Sequence, residues 1–218
     1  MRYYTGTACP EAEAMGLGLI KGPASYNPAT AARYDAIILD NSCYSQQILP
    51  GTIYADRWRR FLDRMEPIAD RVTFAVVPDL ADHERAQGPR HPAPAEATCA
   101  LFDTFHDDVA GRFPVAYALQ PGAELGLVPW DRIDAVFVGG DTDWKLSHHA
   151  LYLCAEAKSR GLLTHLGRAN GARRMMRAQS MQVDSCDGNL LAYAPTKNAA
   201  RLGRILARLP RTPQLALA

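Results

Sequence analysis

Four side chains that can trade protons or hydrogen bonds stand where short apolar runs stop. Asp40 closes AIILD, Asp79 closes VTFAVVPD, Gln120 closes VAYALQ, and Asp187 lies in QVDSCDGN. The first three runs have the composition of strands buried on both faces of a parallel sheet. Polar groups set just past such strands collect at one end of an α/β barrel, where loops build active sites. The pattern predicts an enzyme.

Each group suggests its own chemistry. Asp40 opens Asp40-Asn41-Ser42-Cys43-Tyr44-Ser45-Gln46. A carboxylate there can handle a proton while the aromatic at 44 stacks on a planar ligand. An Asx-turn beside a buried tyrosine would leave the same pattern. Asp79 follows Pro78, which stops a strand ladder. Its carboxylate can accept from the N–H edge of a purine-like base, or cap a helix over Leu80–Ala86. Gln120 offers both a donor and an acceptor. Gly139-Gly140 lets backbone amides approach a ligand closely; it and Gln120-Pro121-Gly122 also suit ordinary turns. Asp184 and Asp187 flank Ser185-Cys186, and one of the two could attack an anomeric carbon, as in retaining glycosyl transfer. No histidine pairs with Cys186 in sequence, so a buried structural thiol is expected there. His148-His149 falls in a helical pattern and is expected to be partly exposed rather than metal-bound.

Thr164 to Arg177 is the richest stretch, with Arg168, Asn170, Arg173, Arg174 and Arg177 around a glycine-bounded loop and the opening of a helix. Forked guanidinium bonds and a helix N-terminus both favour phosphate. A solvated charged face is the alternative, and the Gly-Arg-x-Asn-Gly loop tips the reading toward an anion. Lys197, Arg201, Arg204, Arg208 and Arg211 could extend this into a basic face.

The elements needed to carry these groups follow from the alternation of patterns. Strands are expected at Arg2–Thr5, Tyr34–Asp40, Val72–Val77, Val115–Leu119, Ala135–Val138, Leu162–Leu166 and near Gln182–Val183. Helices are expected at Asp56–Ile68, Ala95–Arg112, Trp144–Arg160 with Gly161 as its cap, Gly171–Ser180 and Lys197–Leu209. Gly88–Pro94 reads as a surface loop. Strand and helix alternate without a composition break, which predicts parallel strands with right-handed crossovers in one domain over residues 1–218. A compact (β/α)8-like (TIM) α/β barrel, trimmed at this length, is favoured over an open doubly wound sheet, since no GxGxxG follows the first strand.

Bulk properties exclude several classes. A chain of 218 residues with 48% hydrophobic and 22% charged residues fits an ordinary soluble globular protein. The net charge of +1 gives no global nucleic-acid signal, so such a partner would need a local patch. No apolar run is long enough to cross a bilayer and the N-terminus lacks a signal-peptide core, so a cytoplasmic protein with reduced thiols is expected. The five cysteines form no CxxC or CxH pair, so no sequence-local zinc site is encoded.

Taken in order, these segments resemble the tRNA-guanine transglycosylase superfamily, and most closely its DNA-acting, DpdA-like branch. Asp40 with Tyr44 looks like the family's Asp-Ser-Gly-Gly-(Phe/Tyr)-Gln segment. Asp79 looks like its second strand-end aspartate, Gln120 like the glutamine of Val-Gln-Gly, and Gly139-Gly140 like its glycine pair. Asp184-Ser185-Cys186-Asp187 is similar to its Asp-x-x-Asp segment, which points to Asp187 as nucleophile. The His-x-Gly-Arg-x-Asn segment at 165–170, with the arginines and Val-Asp-Ser-x-Asp-Gly after it, is similar to the DNA-acting branch in particular.

The family's Cys-x-Cys-x-x-Cys zinc site is missing here, which turns the expected substrate from tRNA to DNA. Ser42-Cys43 replaces the family's double glycine. The resemblance implies exchange of guanine in DNA for a free 7-deazaguanine base (preQ0-like) through a covalent Asp187–C1′ intermediate, without metal or cofactor. Asp40 would move protons. Asp79, Gln120, Gly139, Gly140, Tyr44, Asn41 and Asp184 would contact the substrate, and Arg168, Asn170, Arg173, Arg174 and Arg177 the flanking phosphates. A homodimer or a helper protein is compatible with this. The alternatives are an N-glycosidase on the same scaffold, with water resolving the intermediate, and a non-catalytic nucleic-acid-binding module.

Overall fold

The computed structural model describes residues 1–44, 48–80 and 94–209. Eight parallel strands close in chain order: β1 (Arg2–Thr5), β2 (Gly18–Lys21), β3 (Ile37–Leu39), β4 (Val72–Val76), β5 (Val115–Leu119), β6 (Ala135–Val138), β7 (Leu163–Leu166) and β8 (Ser185–Gly188). Strand β8 seals the ring by pairing with β1, placing Tyr4 opposite Asp187. The fold is a (β/α)8 barrel.

The helices are α1 (Pro10–Ala14), α2 (Pro28–Ala31), α3 (Ile53–Met65), α4 (Pro94–Val109), α5 (Thr142–Lys145), α6 (His148–Ser159), α7 (Ala172–Ser180) and α8 (Pro195–Arg208). The apolar stripe of α3 is fully buried at Trp58, Phe61, Leu62 and Met65. Each such side chain contributes about 1.5–3 kcal/mol by leaving water.

The elements depart from expectation in several places. Strand β2 is absent from the seven-strand expectation because Gly-Leu-Ile-Lys is too short to show a period. The last strand lies at Ser185–Gly188 rather than Gln182–Val183: polar Ser and Asp face inward, so it carries no apolar signal. The helix expected over Trp144–Arg160 is two, because Ser147 caps α6 by accepting from the Ala150 amide. The capping glycine holds: Gly161 follows α6 at φ +77°. The helix over Leu80–Ala86 and the Gly88–Pro94 loop fall largely outside the described residues.

Side chains alternate between the two faces of the strands. One set, including Tyr4, Ile38, Phe74, Val76, Ala116 and Ala118, fills the barrel. The other, including Tyr3, Ile37, Leu39, Ala75, Tyr117 and Val138, packs under the helices. The alanines on β5 and β6 leave room at the centre for a ring that no apolar pattern announces, that of His165. It is fully buried. It stacks on Phe137 with centroids 4.8 Å apart and meets Tyr4 and Phe74 edge-on.

Candidate active site

Continuing the inward two-residue period past each strand builds the site. Ile38 leads to Asp40, Ala118 to Gln120, Phe137 to Gly139, and His165 to Gly167, while Ser185 leads to Asp187 within β8. Pro78 intervenes after β4, so Asp79 arrives one residue late. These groups line one pocket at the C-terminal end of the strands, together with Asn41, Cys43, Tyr44, Gly140 and Arg168. The glycines there make space: a Cβ on Gly139 would lie 2.7 Å from Gln120 Nε2, and one on Gly167 2.8 Å from the Phe137 ring.

Asp79 is the hub of one wall. It is buried and accepts from Asn41 Nδ2 at 2.8 Å, from Gln120 Nε2 and from the Cys43 thiol. Burial raises its carboxyl above the usual range, against the pull of these donors. Asn41 also donates to the Val77 carbonyl and accepts from the Cys43 amide, so its polar atoms face protein groups. With Nε2 held by Asp79, Gln120 presents Oε1 as a buried acceptor that has no partner among the described residues. A buried acceptor left open is costly, about 1–3 kcal/mol, until a ligand N–H meets it.

Asp187 is on the opposite wall. Its Oδ1 accepts from the Arg168 amide at 3.0 Å and from His165 Nε2 at 3.1 Å. His165 Nδ1 in turn accepts from the Ser185 hydroxyl at 2.8 Å, the tautomer the carboxylate selects. Among the described residues Oδ2 receives no hydrogen bond. One oxygen is therefore anchored and the other open to the pocket.

Asp40 sits between these walls. Burial, with Asp187 and Asp79 nearby, pushes its carboxyl up to about 7, while the Ser42 amide and the Arg168 guanidinium oppose the rise. A carboxyl near neutrality can both give and take a proton at working pH.

Two supporting groups escaped the sequence reading. His165 fell inside the arginine-rich stretch, and its inward register shows only once β7 is placed. Lys145 is 2% exposed and donates from Nζ to the Gly167 carbonyl at 3.0 Å. Burial pushes its ammonium down to about 8. The peptide whose carbonyl it holds is the one whose N–H, on Arg168, donates to Asp187. Arg168 reaches this position with φ +56°, a left-handed conformation uncommon outside glycine.

Other expected site residues are placed differently. Asp184 does not enter the pocket: it lies just before β8, at the opposite end of the barrel, where its carboxylate accepts from Thr164 N and Oγ1 and meets Lys158 Nζ at 3.0 Å. Tyr44 is an exposed rim residue, and the stacking expected on a ligand is made here with the Arg168 guanidinium, 4.0 Å from the ring centroid. Arg168 also donates to the Gly140 carbonyl at 2.8 Å. The pair bridges from the loop after β3 to that after β7, across the mouth.

Asn170 accepts from the Asn189 amide, and Arg177 donates to the Leu146 carbonyl. Arg173 and Arg174 line a second hollow beside the mouth with Asn170, Thr142 and Asp143. Cys186 is fully buried, and burial raises its thiol far above reactivity.

Among the described residues no group of three or more His, Cys, Asp or Glu side chains could hold a metal, and no helix is long and apolar enough to cross a membrane. No protein-family model matches the chain, and no curated protein does.

Proposed function

We propose that the chain is a pentosyltransferase that exchanges guanine in DNA for a 7-deazaguanine base. One observation supports this most: Asp40, Asp79, Gln120 and Asp187 converge on one pocket, with a single carboxylate oxygen anchored and its twin open. The open acceptor of Gln120 and the carboxyl of Asp79 suit a base edge rich in N–H donors, as guanine and 7-deazaguanine both present.

In the first step Asp187 Oδ2 attacks C1′ of an extruded deoxyguanosine, and the C1′–N9 electron pair leaves with the base. Asp40 gives its proton to the departing guanine. In the second step Asp40 takes the N9 proton of the incoming base, whose N9 forms the new bond to C1′ as the ester to Asp187 breaks. The same carboxyl thus serves as acid and then base, which a pKa of about 7 suits. For a base to enter, the Tyr44–Arg168 bridge has to part, freeing Tyr44 to stack and Arg168 to meet phosphate.

Incubating the protein with DNA and labelled 7-deazaguanine, followed by mass spectrometry of the nucleosides, tests the reading. Incorporation with stoichiometric guanine release is expected, and Asp187→Ala should abolish it. Guanine release without incorporation would make the protein a hydrolase. Full exchange by Asp187→Ala would remove Asp187 from the chemistry.

A further inference from the structure

The net charge of +1 conceals a strong asymmetry. Residues 157–218 hold 11 of the 24 lysines and arginines but only two of the 23 acids, a net of +9 against −8 for residues 1–156. Those two acids are engaged, Asp184 by Lys158 and Asp187 in the pocket. In the barrel residues 163–208 of this stretch supply the contiguous sector β7–α7–β8–α8.

Helix α8 contains no acid. Lys197, Arg201, Arg204 and Arg208 recur at helical spacing along one exposed stripe. None of the four forms a salt bridge among the described residues. Glu11 instead accepts from the Thr196 hydroxyl beside Lys197. Helix α3 shows the ordinary alternative: Arg59 there meets Asp56 on its own helix and Asp108 on α4, and Asp63 meets Arg112. Helix α8 forgoes such pairs and sets like charges three or four residues apart, at a cost of a few tenths of a kcal/mol per pair.

We propose that α8, with the N-terminal end of α7, is a track for the phosphate backbone of a single-stranded DNA flank leading to the pocket. Helices of this barrel run opposite to the strands, so Arg173, Arg174 and Lys197 stand at the rim. Arg208 lies about 16 Å further along α8, at 1.5 Å per residue. The stripe descends the barrel wall, which a flexible single strand can follow after turning over the rim. An anionic lipid surface fits less well. The apolar side of α8, with Leu202 buried and Ala199, Ile205 and Leu206 against the core, already faces the barrel and cannot insert. The proposal rests on a nucleic-acid substrate but not on base exchange.

The test compares the wild type with K197Q/R201Q/R204Q/R208Q, whose folding is checked by thermal unfolding. Fluorescence anisotropy on single-stranded DNA of about 20 nucleotides would follow log Kd against log salt. Loss of four phosphate contacts should flatten the slope by about 2–3, at roughly 0.7 per contact for a single strand. Kd at low salt should rise at least tenfold, while Asp187→Asn keeps the wild-type slope. An unchanged slope in the quadruple variant overturns the track even if exchange proceeds. So does a wild type that ignores the oligonucleotide while binding phosphatidylserine vesicles. A flattened slope in a protein that exchanges no base upholds the track and rejects the chemistry.

Discussion

Asp184 and Asp187 are three residues apart, yet they stand at opposite ends of the barrel and do opposite work. Asp184 precedes β8 and stitches: its carboxylate takes the Thr164 amide and hydroxyl, while its own N–H and C=O bond to Thr164 on β7 and Arg2 on β1. Asp134 does the same before β6, accepting from the Val115 amide at 2.7 Å. At the other end Asp40, Asp79 and Asp187 surround a pocket, and two of them are held above the normal carboxyl range by burial. A carboxylate that closes a backbone seam has its lone pairs occupied. One that faces a cavity keeps an open oxygen or a shifted proton, which is what chemistry needs.

Substitutions at the pocket end should separate from those at the seam end by what they change. Asp187→Asn keeps the size of the side chain and removes the proposed nucleophile, so exchange should fall at least ~10³-fold with little change in Tm. A variant that lost its fold instead would place Asp187 among the seam residues. Asp40→Asn should cost about 10²–10⁴-fold, the usual weight of a general acid–base. With a carboxyl of about 7, the wild-type rate of guanine release should decline as pH rises above 7, and this limb should vanish in Asp40→Asn. The same raised value has a stability consequence. Its contribution is fully present below the unfolded value of 3.8 and is lost as pH rises through about 7, so Asp40→Asn should flatten stability across that window. A denaturation series from pH 4 to 8 that shows identical slopes for both proteins would refute the shift.

The contrast between the ends was partly legible in the chain. Asp40, Asp79 and Gln120 each close an apolar run, and a polar residue after a buried strand has to lie near the loop end of a barrel. Asp187 and Asp184 could not be separated that way, because β8 itself is Ser-Cys-Asp-Gly and has no apolar face to set its limits. Its register comes from pairing with β1, a contact spanning almost the whole chain. His165 and Lys145 were hidden for a related reason. A polar side chain in a barrel core is positioned by which strand face it shares, and a buried lysine by a carbonyl 22 residues away.

Lys145 tests how far the pocket end depends on what lies behind it. It does not line the pocket; it holds the peptide that holds Asp187. Lys145→Met preserves the apolar stem and removes the charge. Exchange should fall by about 10²-fold through kcat, the scale of a displaced reacting group, with KM for the free base unchanged. Accumulation of the covalent DNA–protein intermediate should drop in step, and Lys145→Arg should recover part of it. A rise in KM alone would mean that the lysine shapes the base pocket rather than positioning Asp187.

The smallest catalytic effect should come from Asp184, which sharpens the comparison most. Asp184→Ala leaves the buried Thr164 amide without its side-chain acceptor, for about 1–3 kcal/mol of stability. Asp184→Asn keeps a carbonyl oxygen in that place and should lose less. Exchange per folded molecule should stay within about twofold of wild type in both, since Asp184 lies at the far end of the barrel from the pocket. Urea unfolding beside single-turnover exchange separates the two quantities. Unaltered stability with a large loss of exchange would reverse the assignment of the two aspartates. The seam would then no longer explain why a carboxylate stands before β8 at all.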